Sequence, residues 1–239
     1  MNTRLTAQFA LLALVGAAMA GGLPVAQAQD PKTLPANPVG VGGNWSQTVK
    51  QEPAGQEFDK KQMELIQKVS AYFNQMGDLK GAFVQTSADN KRLRGKFYVK
   101  RPGRFRFDYS PPSRMVVLSD GQYLAIQDHD LKTDDRVSLD QTPFRVLLRK
   151  DVDLLRDARI LEVGEKQDRI VLELQDKNPD AHGRIKLFLL NKPAVELKEW
   201  ITTDAQGLET KIELTELSRT EDLDAAMFRP PSIYLQRVQ

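Results

Sequence analysis

The stretch LRGKFYVKRPGRFRFDY, residues 93–109, alternates twice. Up to Arg101 it sets Leu93, Gly95, Phe97, Val99 and Arg101 on one side and Arg94, Lys96, Tyr98 and Lys100 on the other. After the Pro102-Gly103 break, Phe105, Phe107 and Tyr109 face one way and Arg104, Arg106 and Asp108 the other. A period of two is the signature of a strand with one apolar face. Two such runs joined by a short Pro-Gly connection read as an antiparallel hairpin.

The same period continues in both directions. Strands are expected near 79–87, 92–101, 104–110, 113–119, 122–128, 131–138, 158–165, 168–175, 184–190, 195–203 and 208–217, separated by turn signals such as Asp120-Gly121 and Asp204-Ala205-Gln206-Gly207. Ahead of them, Leu65, Ile66, Val69, Tyr72, Phe73 and Met76 recur at helical spacing, so a helix is expected over Asp59–Met76 with Gly77 as its stop. Between the sixth and seventh strands, Thr142-Pro143 reads as cap and first residue of a short helix over Phe144 to Arg149, and Asp151 as cap of a second through Val152, Leu154 and Leu155. The fold class is mainly β (α+β): a long, curved antiparallel sheet whose concave face is covered by one N-terminal and two central helices.

At the N-terminus, Arg4, the apolar run Phe9 to Ala20 and the small-residue site Ala26-Gln27-Ala28 form the three parts of a secretory signal peptide, with cleavage expected after Ala28. The expected organisation is a signal peptide over 1–28, a flexible Pro/Gly-rich leader over 29–57 and one domain over 58–239. No stretch offers the roughly 20 apolar residues of a membrane helix, so a soluble exported protein is expected. The chain has no cysteine, which rules out an acylated cysteine anchor, a disulfide framework, a thiolate nucleophile and a cysteine metal site. Its formal charge of +2 includes Arg4, with basic and acidic residues intermixed. Nucleic acid is therefore not an expected partner.

Arg101 is in phase with the apolar side of its strand. Either it turns into solvent at the strand end, the common fate of such a residue, or it enters an apolar interior and must find acceptors there. The aromatic stripe of residues 105–109 is equally two-sided, since a cavity lining and a packed core have the same alternation.

Five strings occur in order: Gly81-Ala82-Phe83-Val84-Gln85-Thr86; Gly95 through Phe107, with Lys100-Arg101-Pro102 inside it; Ser119-Asp120-Gly121; Asp140-Gln141-Thr142-Pro143-Phe144; and Leu223-Asp224-Ala225-Ala226-Met227-Phe228. Together they resemble the LolA family of outer-membrane lipoprotein carriers, over roughly residues 58–235. The chain departs from many members in having Phe97-Tyr98 where they have Leu-Trp, and in its long leader.

The resemblance implies an unclosed antiparallel β-barrel of about 11 strands with a helical lid. Its hydrophobic interior would take the acyl chains of lipoproteins from an inner-membrane ABC transporter and pass them to an outer-membrane receptor, LolB or its equivalent, across the periplasm. It further implies that Arg101, in the Lys-Arg-Pro motif, hydrogen-bonds backbone carbonyls of the lid segment Thr142 to Arg149 and locks it. Phe105 would lie on the surface that engages the transporter. The expected acyl-cavity residues, each with plain core as its alternative, are Leu65, Val69, Phe97, Val99, Phe107, Phe144, Leu147 and Leu148. No cofactor or metal is implied, and a carrier offering one face to two successive partners is expected to be a monomer.

Two other classes compete. An enzyme would need a site, but His129 and His182 stand in turn-like contexts, and there is no Gly-x-Ser-x-Gly elbow, His-Glu-x-x-His helix or Gly-rich phosphate loop. No catalytic residue is assigned. A lipid- or lipoprotein-sensing protein could use the same half-barrel for recognition rather than transport, because a fold alone does not fix function.

Overall fold

The computed structural model describes residues 57–221 and 223–230. The signal peptide expected over 1–28 lies outside the described residues, as does the leader over 29–57 but for its last residue. Asp59 caps helix α1 (Lys60–Gln75) in a reciprocal box: its carboxylate accepts from Gln62 N at 2.8 Å, and Gln62 Oε1 accepts from Asp59 N at 3.0 Å. Leu65, Ile66, Val69 and Phe73 are buried along one stripe. The helix ends differently from expectation. Met76 leaves it in extended conformation, and Gly77 is not in the left-handed region, so no glycine cap is used.

Eleven strands follow among the described residues: β1 (Leu79–Thr86), β2 (Arg92–Lys100), β3 (Arg104–Tyr109), β4 (Met115–Asp120), β5 (Tyr123–Asp128), β6 (Thr133–Ser138), β7 (Ala158–Lys166), β8 (Arg169–Asp176), β9 (Arg184–Leu190), β10 (Glu196–Thr203) and β11 (Glu209–Arg219). They form one antiparallel sheet in the order β6-β5-β4-β3-β2-β1-β11-β10-β9-β8-β7. β6 and β7 are its two edges and do not pair with each other, so the sheet is not closed. In β2 and β3 the register sets Phe97 against Phe107 and Val99 against Phe105, which puts the whole apolar alternation on one face. Gly95 makes this possible: a Cβ there would lie 2.1 Å from Asp108 O and 2.8 Å from the Phe83 ring.

Between β6 and β7 the chain makes a 3-10 turn (Leu139–Gln141), helix α2 (Arg145–Leu148) and helix α3 (Leu154–Asp157). Both expected caps are displaced. Thr142 turns its hydroxyl back to donate to Leu139 O at 2.8 Å, and Phe144 takes the N-cap position of α2 without a side-chain cap bond. Asp153, not Asp151, caps α3 by accepting from Arg156 N at 3.0 Å, while Asp151 pairs with the Arg156 guanidinium at 3.1 Å. Leu223 and Phe228, the latter in a 3-10 turn over Ala225–Phe228, are buried, and that turn packs against β3 and β4. Arg106 Nη1, from the side of β3 opposite Phe105 and Phe107, donates to Met227 O at 2.9 Å. No helix among the described residues is long and apolar enough to cross a membrane.

Candidate functional site

The inward residues of the strands and the faces of α1 and α2 enclose a cavity of about 150 Å³. Phe107 is the centre of its aromatic wall. Its ring lies 5.0 Å from Phe83, 5.8 Å from Phe97, 5.9 Å from Phe105 and 6.1 Å from Trp200. The contacts with Phe83, Phe105 and Trp200 are edge-on and that with Phe97 is stacked, arrangements that suit the ring quadrupole and fix the wall's shape.

Of the eight cavity residues expected from sequence, Phe97, Val99, Phe107, Phe144, Leu147 and Leu148 line this space. Leu65 and Val69 do not. They are buried along α1, which faces β7 and α3, and the helix reaches the cavity one turn later through Tyr72, Phe73 and Met76. Phe105, expected on a transporter-facing surface, is 6% exposed and lies in the cavity wall with its ring 6.0 Å from Phe144. A buried ring in a wall is not, in this conformation, a surface contact. Sequence reading also missed the opposite wall, built from Ile185 and Leu187 of β9, Leu197 and Trp200 of β10, and Ile212 and Leu214 of β11.

Three lid side chains, Phe144, Leu147 and Leu148, enter the cavity from α2 at i, i+3 and i+4, one face of a helix. Two groups of the β2–β3 turn hold that helix down. Arg101 Nη2 donates to Arg149 O, and Gly103 N donates to Leu148 O at 2.9 Å. Gly103 has φ +72°, and a Cβ on it would come within 2.9 Å of the Gly121 Cα in the β4–β5 turn, so only glycine presents its N–H here. Arg101 therefore meets lid backbone rather than turning wholly into solvent. Its Nη1 is buried without a hydrogen-bond partner, and desolvation lowers the guanidinium's pKa from its ordinary value.

One polar spot interrupts the apolar lining. Tyr109 Oη donates to Gln85 Oε1, and Gln85 Nε2 donates to Ser87 Oγ at 3.4 Å, with Gln85 only 1% exposed. Burial pushes the Tyr109 phenol well above its ordinary pKa. Neither histidine lines the cavity, and among the described residues no group of three or more His, Cys, Asp or Glu side chains is placed to hold a metal ion. The arrangement can sequester apolar matter.

Residues 74–231 match the family described as outer membrane lipoprotein carrier protein LolA. The outer-membrane lipoprotein carrier protein of Chromobacterium violaceum is 28% identical over 165 residues, covering 67% of this chain and 75% of that one. Its counterpart in Halorhodospira halophila is 26% identical over 177 residues, covering 70% and 82%. Among solved structures, a LolA superfamily protein from Nitrosomonas europaea aligns with 69% of this chain and 97% of its own, at 14% identity and a TM-score of 0.39. The family match spans well over half of the residues, all eleven strands and the lid included, and the chain therefore belongs to the LolA family of outer membrane lipoprotein carrier proteins.

Proposed function

We propose that this protein is a periplasmic carrier that shelters the acyl chains of lipoproteins in the cavity between sheet and lid, receiving them from an inner-membrane ABC transporter and delivering them to an outer-membrane receptor. In this reading residues 1–28 are a signal peptide, 29–57 a leader and 58–239 the carrier domain. The chain works as a non-enzymatic chaperone, without a cofactor and as a monomer.

The observation that carries the reading is a cavity lined by aromatic and aliphatic side chains and stopped by the lid's own Phe144, Leu147 and Leu148. Exposing an acyl chain to water costs about 0.8 kcal/mol per methylene, so one 16-carbon chain costs roughly 12 kcal/mol. A cavity of about 150 Å³ holds a benzene-sized molecule. An acyl chain is far longer, so with the lid placed as it is, its side chains fill space the cargo needs, and loading requires the lid to move. The closed lid then competes with the cargo, which lowers the free energy of holding and lets delivery proceed. Arg101, donating to Arg149 O, sets how strongly the lid competes.

The test is release of newly made lipoprotein from spheroplasts. Purified protein is added, and a soluble one-to-one complex is sought in the supernatant with acylated cargo and with a cysteine-substituted, non-acylated form. A complex with the acylated form alone is the expected result. Absence of any complex, together with binding of another lipid or a regulatory protein, would replace transport by sensing.

A further inference from the structure

The lid is not held equally along its length. The chain from Leu139 to Asp157 is tied to the rest of the fold at both ends, by Leu139 N donating to Gln122 O at 2.8 Å and by Lys177 N donating to Asp157 O at 3.1 Å, and at three places between them of very different character.

The first is Arg145 at the start of α2, whose Nε and Nη2 donate to Asp176 Oδ2 and Oδ1 at 2.7 and 2.5 Å. The Asp176 side chain is 1% exposed and the Arg145 side chain 18%. Asp176 Oδ1 also accepts from Asn178 N at 2.7 Å, so both carboxylate oxygens are satisfied. Around this pair, Asn178 Nδ2 donates to Asp140 O and His182 N to Gln141 O, each at 3.3 Å. A bidentate guanidinium on a buried carboxylate is strong and directional, and separating it would strand a charge out of water.

The second tie is Asn74 of α1, which grips Val152 twice: Nδ2 donates to Val152 O and Oδ1 accepts from Val152 N, both at 2.8 Å. The third lies between these two, where Arg101 and Gly103 reach the carbonyls of Arg149 and Leu148. This middle contact differs in kind. Arg101 regains water for its buried, unpartnered Nη1 when the contact opens, which offsets part of what the bond to Arg149 O contributes. The side-chain pair Arg149–Asp157 at 3.2 Å spans the same stretch, but Arg149 is 42% exposed and such a pair contributes little.

We propose that residues 146–151 form a flap suspended between two fixed anchors, Arg145–Asp176 and Asn74–Val152, and that loading lifts this flap off Arg101 and Gly103 while both anchors stay closed. Arg145, Asp176 and Asn74 are then positioning residues. They return Leu147 and Leu148 to the cavity after each delivery. The inference rests on the carrier reading for what lifts the flap, but not for where the lid bends.

The chain has no native cysteine, so spin labels can be placed pairwise. One pair joins the flap at Lys150→Cys to the convex face at Lys96→Cys; the other joins the anchored turn at Gln141→Cys to the same Lys96→Cys, all exposed positions. Distances are measured by double electron–electron resonance before and after adding a synthetic tripalmitoylated cysteinyl peptide. The expected result is a shift of several ångströms for the 150–96 pair and none for the 141–96 pair. Equal movement of both overturns the anchor. The same two pairs are measured without peptide in an Arg101→Met background, where the flap distance should broaden alone. That arm separates the inferences: if the peptide does not bind, the carrier reading fails, while the hinge still stands or falls on the Arg101→Met distances. Finally, Arg145→Gln should let the 141–96 distance broaden together with the flap. An unchanged 141–96 distance in that variant, when the flap opens, shows that the ion pair is not the pivot.

Discussion

Replacing Arg101 by methionine keeps a long side chain but removes the donor to Arg149 O. A hydrogen bond from a charged donor contributes about 1.5–3 kcal/mol. Here part of that is offset, because burial disfavours the cation and one of its nitrogens is buried without a partner. The net loss from the closed lid is about 1–2 kcal/mol. The bond from Gly103 N to Leu148 O survives, so the lid stays attached. Because only the closed state is weakened, the apparent affinity for an acyl ligand should rise by roughly 5–30-fold. Trp200 lines the cavity 6.1 Å from Phe107, and a Trp45→Phe background leaves it as the sole indole. Its emission during titration with the tripalmitoylated peptide gives the dissociation constant. Handover to an acceptor should slow in the same proportion. Unchanged or weaker binding, with the thermal midpoint intact, would refute the idea that Arg101 holds a closed state in competition with cargo.

Gly95→Ala forces a Cβ against Asp108 O and the Phe83 ring, and should lower stability by more than the ~1–3 kcal/mol typical of overpacking, read as loss of the cooperative melt by circular dichroism. Tyr109, whose phenol burial raises, contributes stability that is complete below about pH 10 and declines as the pH rises further, since the unfolded chain ionises first. Tyr109→Phe should therefore flatten the alkaline decline, while costing about 1–3 kcal/mol at neutral pH by leaving Gln85 Oε1 without its donor, as denaturant melts at pH 7 and above pH 10 will report. Asp157 in α3 is held below the usual carboxylate range, first by its hydrogen bonds to Arg156 and then by the Arg149 charge. That contribution is complete above about pH 4 and lost as the pH falls further, so Asp157→Asn should shrink the acid-side drop in melting temperature and leave the range from pH 5 to 8 flat.

The sheet was legible because its signal is repeated. Each strand carries its own period of two, and the Pro-Gly, Asp-Gly and Ala-Gln-Gly punctuation lies between periods, so all eleven strands lie within two residues of expectation. Helix boundaries were less so, since several acceptors compete for each orphan N–H. The sequence reading took Asp151 as the cap of α3, and the path of the chain gives that place to Asp153. The cavity was half legible. Alternation marks a face as apolar but does not say whether the facing surface touches it, which is why Leu65 and Val69 appeared as lining and Trp200 did not. Nothing local distinguishes the first two turns of α1 from the last. The in-phase arginine was two-sided on periodicity alone, with solvent its commoner fate, and only the path of the lid brings the Arg149 carbonyl to it.

β1 has β2 on one side and β11 on the other, while every other neighbouring pair is also consecutive along the chain. The sheet thus consists of two locally wound meanders, β1–β6 and β7–β11, stitched by a single seam between segments from opposite ends of the described sequence. Local hairpins form quickly, and a seam of such separation must first meet the entropy of closing a long loop. Because the cavity walls come from both meanders, no apolar interior exists until β11 has docked. Before that moment two uncovered greasy surfaces face water and invite self-association. Maturation should accordingly be governed by a late, all-or-none zipping step, so that a chain still being folded is unable to capture lipid prematurely.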